Sequence, residues 1–168
     1  MIEKFKTLFF VKSSLICLYL ALTIPIPYIS IESLRVFSLI TFILGLFLII
    51  NITSDYVETS NKTITYKTNF LSKFFGRNSW EIFWKDIKSI KSLPTSQGSK
   101  VYYFVTNKDE KILLPQRLEN FERFLLIISQ YTQIKVDEIS YLSPLWTYKL
   151  LTFISLLMIL GEIISFII

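Results

Sequence analysis

The chain has 168 residues, a formal net charge of +5 and a hydrophobic content of 52%, which is apolar for an ordinary soluble domain. It has no histidine, so the commonest general base and metal ligand is missing. Its one cysteine, Cys17, excludes an intrachain disulfide and a cysteine zinc site, and its four scattered glycines form no phosphate-binding loop. We therefore expect a membrane protein that is not an enzyme, with no metal, no cofactor and no small-molecule substrate.

Two hydrophobic segments open the chain. Ser13–Ile31 and Val36–Ser54 each contain nineteen residues without a charge. At 1.5 Å per residue such a helix is roughly 28 Å long, close to the thickness of the hydrocarbon core of a bilayer. Pro25 and Pro27 fit the end of the first helix and a tight return. Residues 1–54 are therefore predicted to be an N-terminal tail and a transmembrane helical hairpin.

A third hydrophobic segment ends the chain, and residues 145–168 are predicted to be a C-terminal transmembrane helix. Glu162 interrupts this segment. A carboxylate at the centre of a bilayer costs about 2.5–3.5 kcal/mol, so it would have to pair with a polar group on a neighbouring helix or subunit. The alternative, which costs less, is that the helix ends early and Glu162 lies near the far membrane surface.

The distribution of lysine and arginine predicts the orientation. The N-terminal tail carries Lys4, Lys6 and Lys12 against Glu3, and Thr53–Pro144 carries thirteen basic and ten acidic residues. Basic segments stay on the cytoplasmic side of a membrane. We therefore expect a multi-pass protein of a bacterial plasma membrane or a thylakoid, with a cytoplasmic N-terminus and domain and with the C-terminus on the far side.

Residues 55–144 alternate between apolar and polar side chains and predict a single β-rich domain. Trp80, Ile82 and Trp84 share one face of a strand, and we expect them to lie in the core or at its contact with the last helix. About six short strands are followed by an amphipathic helix over residues 117–132. Its apolar stripe consists of Leu118, Phe121, Leu125 and Ile128.

This order of elements resembles bacterial pleckstrin-homology-like domains of small membrane proteins. The resemblance rests on the string from Trp80 to Ile90, in which Asp86 and Ile87 follow the aromatic residues where one strand breaks into the next, and on Leu114-Pro115-Gln116 before the last helix. It implies a membrane α+β fold in which a β-barrel or sandwich is closed by the amphipathic helix. A barrel or sandwich between transmembrane segments is therefore the expected fold class.

The layout of two N-terminal helices followed by such a domain is also similar to that of the photosystem I assembly proteins of thylakoids, although those lack the third helix. This resemblance implies a non-enzymatic interaction or assembly module at the cytoplasmic membrane face, such as one that aids a photosynthetic complex, with another membrane protein as partner. The alternative is a protein that binds lipid headgroups or senses the state of the membrane. Nucleic acid is not expected as a partner, because the basic residues are dispersed along the chain.

One loop mixes large apolar residues with cations. Phe70, Phe74 and Phe75 could enter the headgroup region of a bilayer while Lys73 and Arg77 meet anionic lipids. The alternative is that the phenylalanines cover the domain's own core.

Overall fold

The structure is a computed structural model that describes residues 2–96 and 98–167. It contains two compact units. A β-rich unit combines the chain up to Leu8 with Ser54–Pro144, and a helical unit combines Phe9–Thr53 with the chain from Leu145 onward.

Helices and strands both occur, so the fold is a mixed α+β fold. The helices of the described residues are α1 (Phe9–Thr23), α2 (Pro25–Ile29), α3 (Glu32–Ile52), α4 (Phe70–Phe74), α5 (Phe121–Thr132) and α6 (Leu145–Ile167). The strands are β1 (Glu3–Lys6), β2 (Tyr56–Thr59), β3 (Thr63–Lys67), β4 (Trp80–Phe83), β5 (Ile87–Pro94), β6 (Lys100–Thr106) and β7 (Lys111–Leu113).

The strands form two antiparallel sheets, one with the order β1-β2-β3-β4 and one with the order β5-β6-β7. A 3₁₀ turn, Trp84–Asp86, separates β4 from β5. Within the described residues the sheets remain open, so the closed barrel that the sequence analysis allowed does not form. The turn redirects the chain at the end of β4, and β7 is only three residues long and pairs with β6.

The first strand differs most from expectation. The sequence analysis placed residues 1–54 together as tail and hairpin, whereas β1 pairs with β2 and sets Phe5 opposite Val57. Beyond β1, Thr7 forms a β-bridge with Leu118. The side chain of Phe5 is buried, so these residues add both an edge strand and core area to the β-rich unit. A strand of four residues gives too little alternation to stand out in the sequence.

The helix α5 begins four residues later than predicted. Residues 117–120 are not helical, because Leu118 pairs with the N-terminal segment and Asn120 has a left-handed φ of 51°. Leu118 is nevertheless buried with the rest of the predicted stripe. The two sheets and α5 share one core, whose fully buried side chains include Ile64, Phe104, Leu114, Phe121, Phe124 and Ile128.

Among the described residues, three helical segments are long and apolar enough to cross a membrane: Phe9–Ile29, Glu32–Ile52 and Leu145–Phe166. The first two begin four residues before the predicted segments, because the prediction stopped at the charged residues Lys12 and Arg35. Both lie within the first turn or so of a helix, where a long charged side chain can reach polar surroundings. Pro25 opens α2 in the first turn, the helical position that tolerates proline. Met1 and Ile168, which the sequence analysis assigned to the tail and the third helix, lie outside the described residues.

Within the helical unit, α1 and α6 run in the same direction. The Lys149 ammonium lies 5.0 Å from the centre of the Phe10 ring near their starts, and the ring of Tyr28, in α2 beyond the end of α1, is 4.2 Å from that of Phe166 near the end of α6. Against α1, α3 packs closely at Gly45, where a Cβ atom would overlap the Tyr19 ring. Small side chains at such contacts are what allow helices to approach each other in a membrane.

The pairing of β1 with β2 also constrains the hairpin. These strands flank the segment that contains α1, α2 and α3. Both ends of this segment must therefore lie on the same side of any membrane that it enters.

Candidate functional site

The segment Asn69–Arg77, here called the α4 platform, carries the predicted interface residues. The side chains of Phe70, Phe74 and Phe75 are 82%, 81% and 54% exposed, and Lys73 is exposed as well. The rings therefore do not cover the core of the β-rich unit. Large apolar side chains grouped at a surface are typical of a site that contacts another molecule or a membrane.

A buried carboxylate holds this platform. Asp55 is only 3% exposed. Its Oδ1 accepts a hydrogen bond from the Ser72 hydroxyl at 2.8 Å and another from the backbone N–H of Asn69 at 3.1 Å. Since Ser72 lies in the middle of α4 and Asn69 precedes it, one oxygen atom fixes both the start and the inner face of the helix. A buried charge is tolerated only with such partners.

The other carboxylate oxygen extends the network. Asp55 Oδ2 accepts hydrogen bonds from the Tyr66 hydroxyl at 3.1 Å and from Arg77 Nη1 at 3.3 Å. Burial raises the pKa of Tyr66 to about 12, and the charge of Asp55 and the hydrogen bond to it add to this effect. The Arg77 side chain is half-exposed, so water screens its attraction to Asp55.

The end of the platform is fixed by its backbone. Gly76 has a φ of +79°, which is the left-handed conformation that glycine adopts without strain. The N–H of Gly76 donates to the carbonyl of Lys73 at 3.0 Å, and the N–H of Arg77 donates to the carbonyl of Ser72 at 3.0 Å. This pattern is a Schellman motif, which terminates a helix and satisfies its last carbonyls. The exposed rings thus stand on a segment that is held at both ends.

The aromatic residues predicted for the core lie along the sheet and at its contact with α5. Ile82 is buried, and Trp80 packs half-buried against the core with its ring 5.7 Å from that of Tyr66. Trp84 is buried, and its ring stacks on Tyr131 of α5 at 5.4 Å.

The turn after β4 is held by backbone and side-chain hydrogen bonds. The Nε1–H of Trp84 donates to the carbonyl of Ser60 at 2.8 Å. Asp86 is half-buried, and its carbonyl accepts the N–H of Asn107 at 2.8 Å, while Ile87 is buried as β5 begins. These residues position the fold and are not brought to the α4 platform.

The intramembrane candidate Glu162 is half-buried in α6. Its Oε2 atom is buried and makes no hydrogen bond to the described residues. The residue lies one turn before Phe166, or about 6 Å along the helix axis. It is therefore close to the end of the apolar segment and distant from the α4 platform in the sequence.

Sequence reasoning missed the residues that hold the platform, which are Asp55, Tyr66 and Ser72. In the sequence alone, Asp55 is the start of a strand, Tyr66 is a strand residue and Ser72 is a loop residue. Their meeting depends on strand pairing and not on spacing, so the sequence carries no signal for it. Among residues 2–96 and 98–167, no group of three or more His, Cys, Asp or Glu side chains is placed to hold a metal ion.

The chain is similar in sequence to a protein from Synechocystis sp.. Over 156 residues it is 33% identical to the uncharacterized protein slr0269 of Synechocystis sp., an alignment that covers 88% of this chain and 77% of that protein. No family model matches the chain, and no solved structure matches it. At this identity and coverage, the chain belongs to the same family as the Synechocystis protein.

Proposed function

We propose that the protein is a non-enzymatic, membrane-anchored interaction module that helps to assemble or regulate a membrane complex. The observation that carries this proposal is the α4 platform, on which three exposed phenylalanines are held in place by the buried Asp55 carboxylate. Protein interfaces concentrate their binding energy in a few aromatic and arginine side chains, and pre-organised ones lose less entropy on binding. The platform has this composition and this rigidity.

The proposal includes a pleckstrin-homology-like fold for the β-rich unit. Seven strands in two antiparallel sheets, followed by one helix that shares their core, support it. In this arrangement α5 supplies the apolar face that covers the sheets. β1 is an edge strand of its sheet, and the charges of Lys4 and Lys6 discourage another chain from pairing with it.

Insertion in a membrane is supported by the three long apolar helices. The cytoplasmic placement of the domain is supported by the excess of lysine and arginine near these helices. Along the chain only Thr53 and Ser54 separate the end of α3 from Asp55. Asp55 thus follows an apolar helix closely in the sequence, and the partner that we propose for the platform is one that is itself in the membrane.

Site-specific photo-crosslinking in the native membrane tests this function. We expect a photoreactive phenylalanine analogue at Phe74 to give a discrete crosslink to one membrane protein, since that ring is largely exposed. The double variant Phe70→Ser/Phe75→Ser should abolish this crosslink, because the neighbouring apolar contacts are lost. The control is Leu126→Ser, which removes another exposed apolar side chain, 61% exposed, from α5 and should leave the crosslink unchanged. A platform that gives no discrete protein crosslink would contradict an assembly role.

The second candidate is a lipid-headgroup binder or a sensor of the membrane state. It is favoured by Lys73, an exposed cation between the exposed rings. A cation near an anionic surface contributes about 1 kcal/mol, and salt screens this contribution. A fluorophore at Phe74 of the full chain in nanodiscs should then report deeper burial with anionic than with neutral lipids, and Lys73→Ser should remove the difference. Fluorescence emission that is the same with anionic and neutral lipids would contradict lipid binding and favour the protein-binding role.

A further inference from the structure

The helical unit contains a groove that is separate from the α4 platform. Its volume is about 760 Å³, which is within the range of small-molecule and cofactor sites. It opens near the return between α2 and α3, where the first two apolar segments meet. Its walls include Ile24, Tyr28, Arg35, Leu39, Phe42 and Phe166.

The groove has two polar side chains among these wall residues. The guanidinium of Arg35 forms no ion pair or hydrogen bond with the part of the chain that the structure describes, and neither does the hydroxyl of Tyr28. Arg35 is exposed although Glu32 lies one turn away. A guanidinium carries five N–H donors in a planar fork that suits the oxygens of a phosphate.

The polar and apolar walls are separated along the helix axis. Arg35 lies in the first turn of α3, and Tyr28 lies in α2. Leu39 and Phe42 follow Arg35 by about 6 Å and 10 Å along the axis of α3, toward its apolar middle. The ring of Phe166, near the end of α6, contacts that of Tyr28 at 4.2 Å and so borders the polar end of the groove. One end of the groove can therefore bind an anionic group, while the remainder is suited to hydrocarbon.

We propose that this groove binds an anionic phospholipid, with the phosphate at Arg35 and Tyr28 and an acyl chain against Leu39 and Phe42. The charge of Arg35 is complementary to a phosphate, and basic pockets between transmembrane helices bind anionic headgroups. The residues of the return between two membrane-spanning helices lie at headgroup depth, so phosphate and chain meet the matching walls. This site is independent of the α4 platform and of the partner proposed for it.

Native mass spectrometry of the full chain in an uncharged detergent tests the proposal with equimolar phosphatidylglycerol and phosphatidylcholine. We expect one phosphatidylglycerol to be retained about fivefold more than phosphatidylcholine, the factor that one cation near an anionic surface provides. Arg35→Gln should reduce this preference to about one. Leu39→Trp, which fills the apolar wall, should lower the retention of both lipids.

The charge-matched control is Lys108→Gln, in the turn between β6 and β7, and it should preserve the preference. An excess of glycerol phosphate should not displace the lipid, because the acyl chain contributes most of the contact. Displacement by glycerol phosphate would contradict a lipid site and indicate that the groove binds a free phosphate ester. Equal retention of the two lipids by the unmodified chain, or a preference that survives Arg35→Gln, would overturn the proposal.

Discussion

Replacement of Asp55 by alanine should release the α4 platform without unfolding the β-rich unit. The substitution leaves the fully buried Ser72 hydroxyl and the Asn69 N–H without the carboxylate oxygen that accepts both. A buried donor that loses its acceptor costs about 1–3 kcal/mol. Arg77 is half-exposed and regains hydration, so it adds little. The buried Ser72 hydroxyl, with smaller contributions from the half-buried Asn69 N–H and Tyr66 hydroxyl, gives about 3 kcal/mol, or on the order of a hundredfold in the equilibrium constant for local opening.

Hydrogen exchange of the full-length protein in detergent micelles measures this release. The backbone N–H groups of Lys73, Phe75 and Arg77 all donate within the platform, and their exchange should become about a hundredfold faster in Asp55→Ala. Amides of β5 and β6 should exchange as before. The control is Asp109→Ala, since Asp109 pairs with Lys88 at 3.5 Å and both side chains are exposed. Unchanged exchange in the platform of Asp55→Ala would refute the reasoning that Asp55 holds it.

Three further predictions concern stability. The pKa of Tyr66 is about 12 in the folded chain and about 10 in an unfolded one, so the unfolded state loses this proton first as the pH rises. The free energy of unfolding should therefore be unaffected below pH 10 and should fall between pH 10 and pH 12. In Tyr66→Phe this fall should be smaller. Trp84→Ala removes a buried ring and a hydrogen bond to Ser60, so it should lower the free energy of unfolding in urea by about 3–5 kcal/mol; an unchanged midpoint would mean that the stacking on α5 contributes nothing. Gly45→Ala should lower the free energy of unfolding of the helical unit by about 1–3 kcal/mol relative to Gly161→Ala, because a Cβ at position 45 overlaps the Tyr19 ring whereas one at position 161 meets no atom within 4 Å; equal effects would contradict the close packing.

The long apolar helices could be predicted from the sequence because membrane insertion depends on length and hydrophobicity, which are local properties. The boundaries shifted by a few residues where Lys12 and Arg35 lie within helical ends. The burial of Ile82 and Trp84 could be predicted from alternation along β4 and into the turn that follows it, which is also a local property. Whether these helices enter a membrane stays a prediction.

The remainder depends on contacts between distant residues. The pairing of β1 with β2 joins positions that are about fifty residues apart, and it cannot be predicted from four alternating residues. The network of Asp55 likewise joins a strand start to Tyr66 and Ser72 through the folded sheet. The network holds α4 so that Phe70 and Phe74 are exposed, whereas the sequence alone allowed these rings either in the core or at the surface.

The insertion of the helical hairpin between two paired strands sets an order of events during synthesis. β1 leaves the ribosome first, but its partner β2 is made about fifty residues later, or roughly 3–10 s at 5–20 residues per second. During that time β1 has no sheet to join. Once α1 and α3 have packed side by side, the chain ends that carry the two strands are already close, so most of the loop-closure entropy has been lost before the strands meet. A truncated chain that begins at Asp55 would lack this edge strand and should fold less stably than the full-length protein.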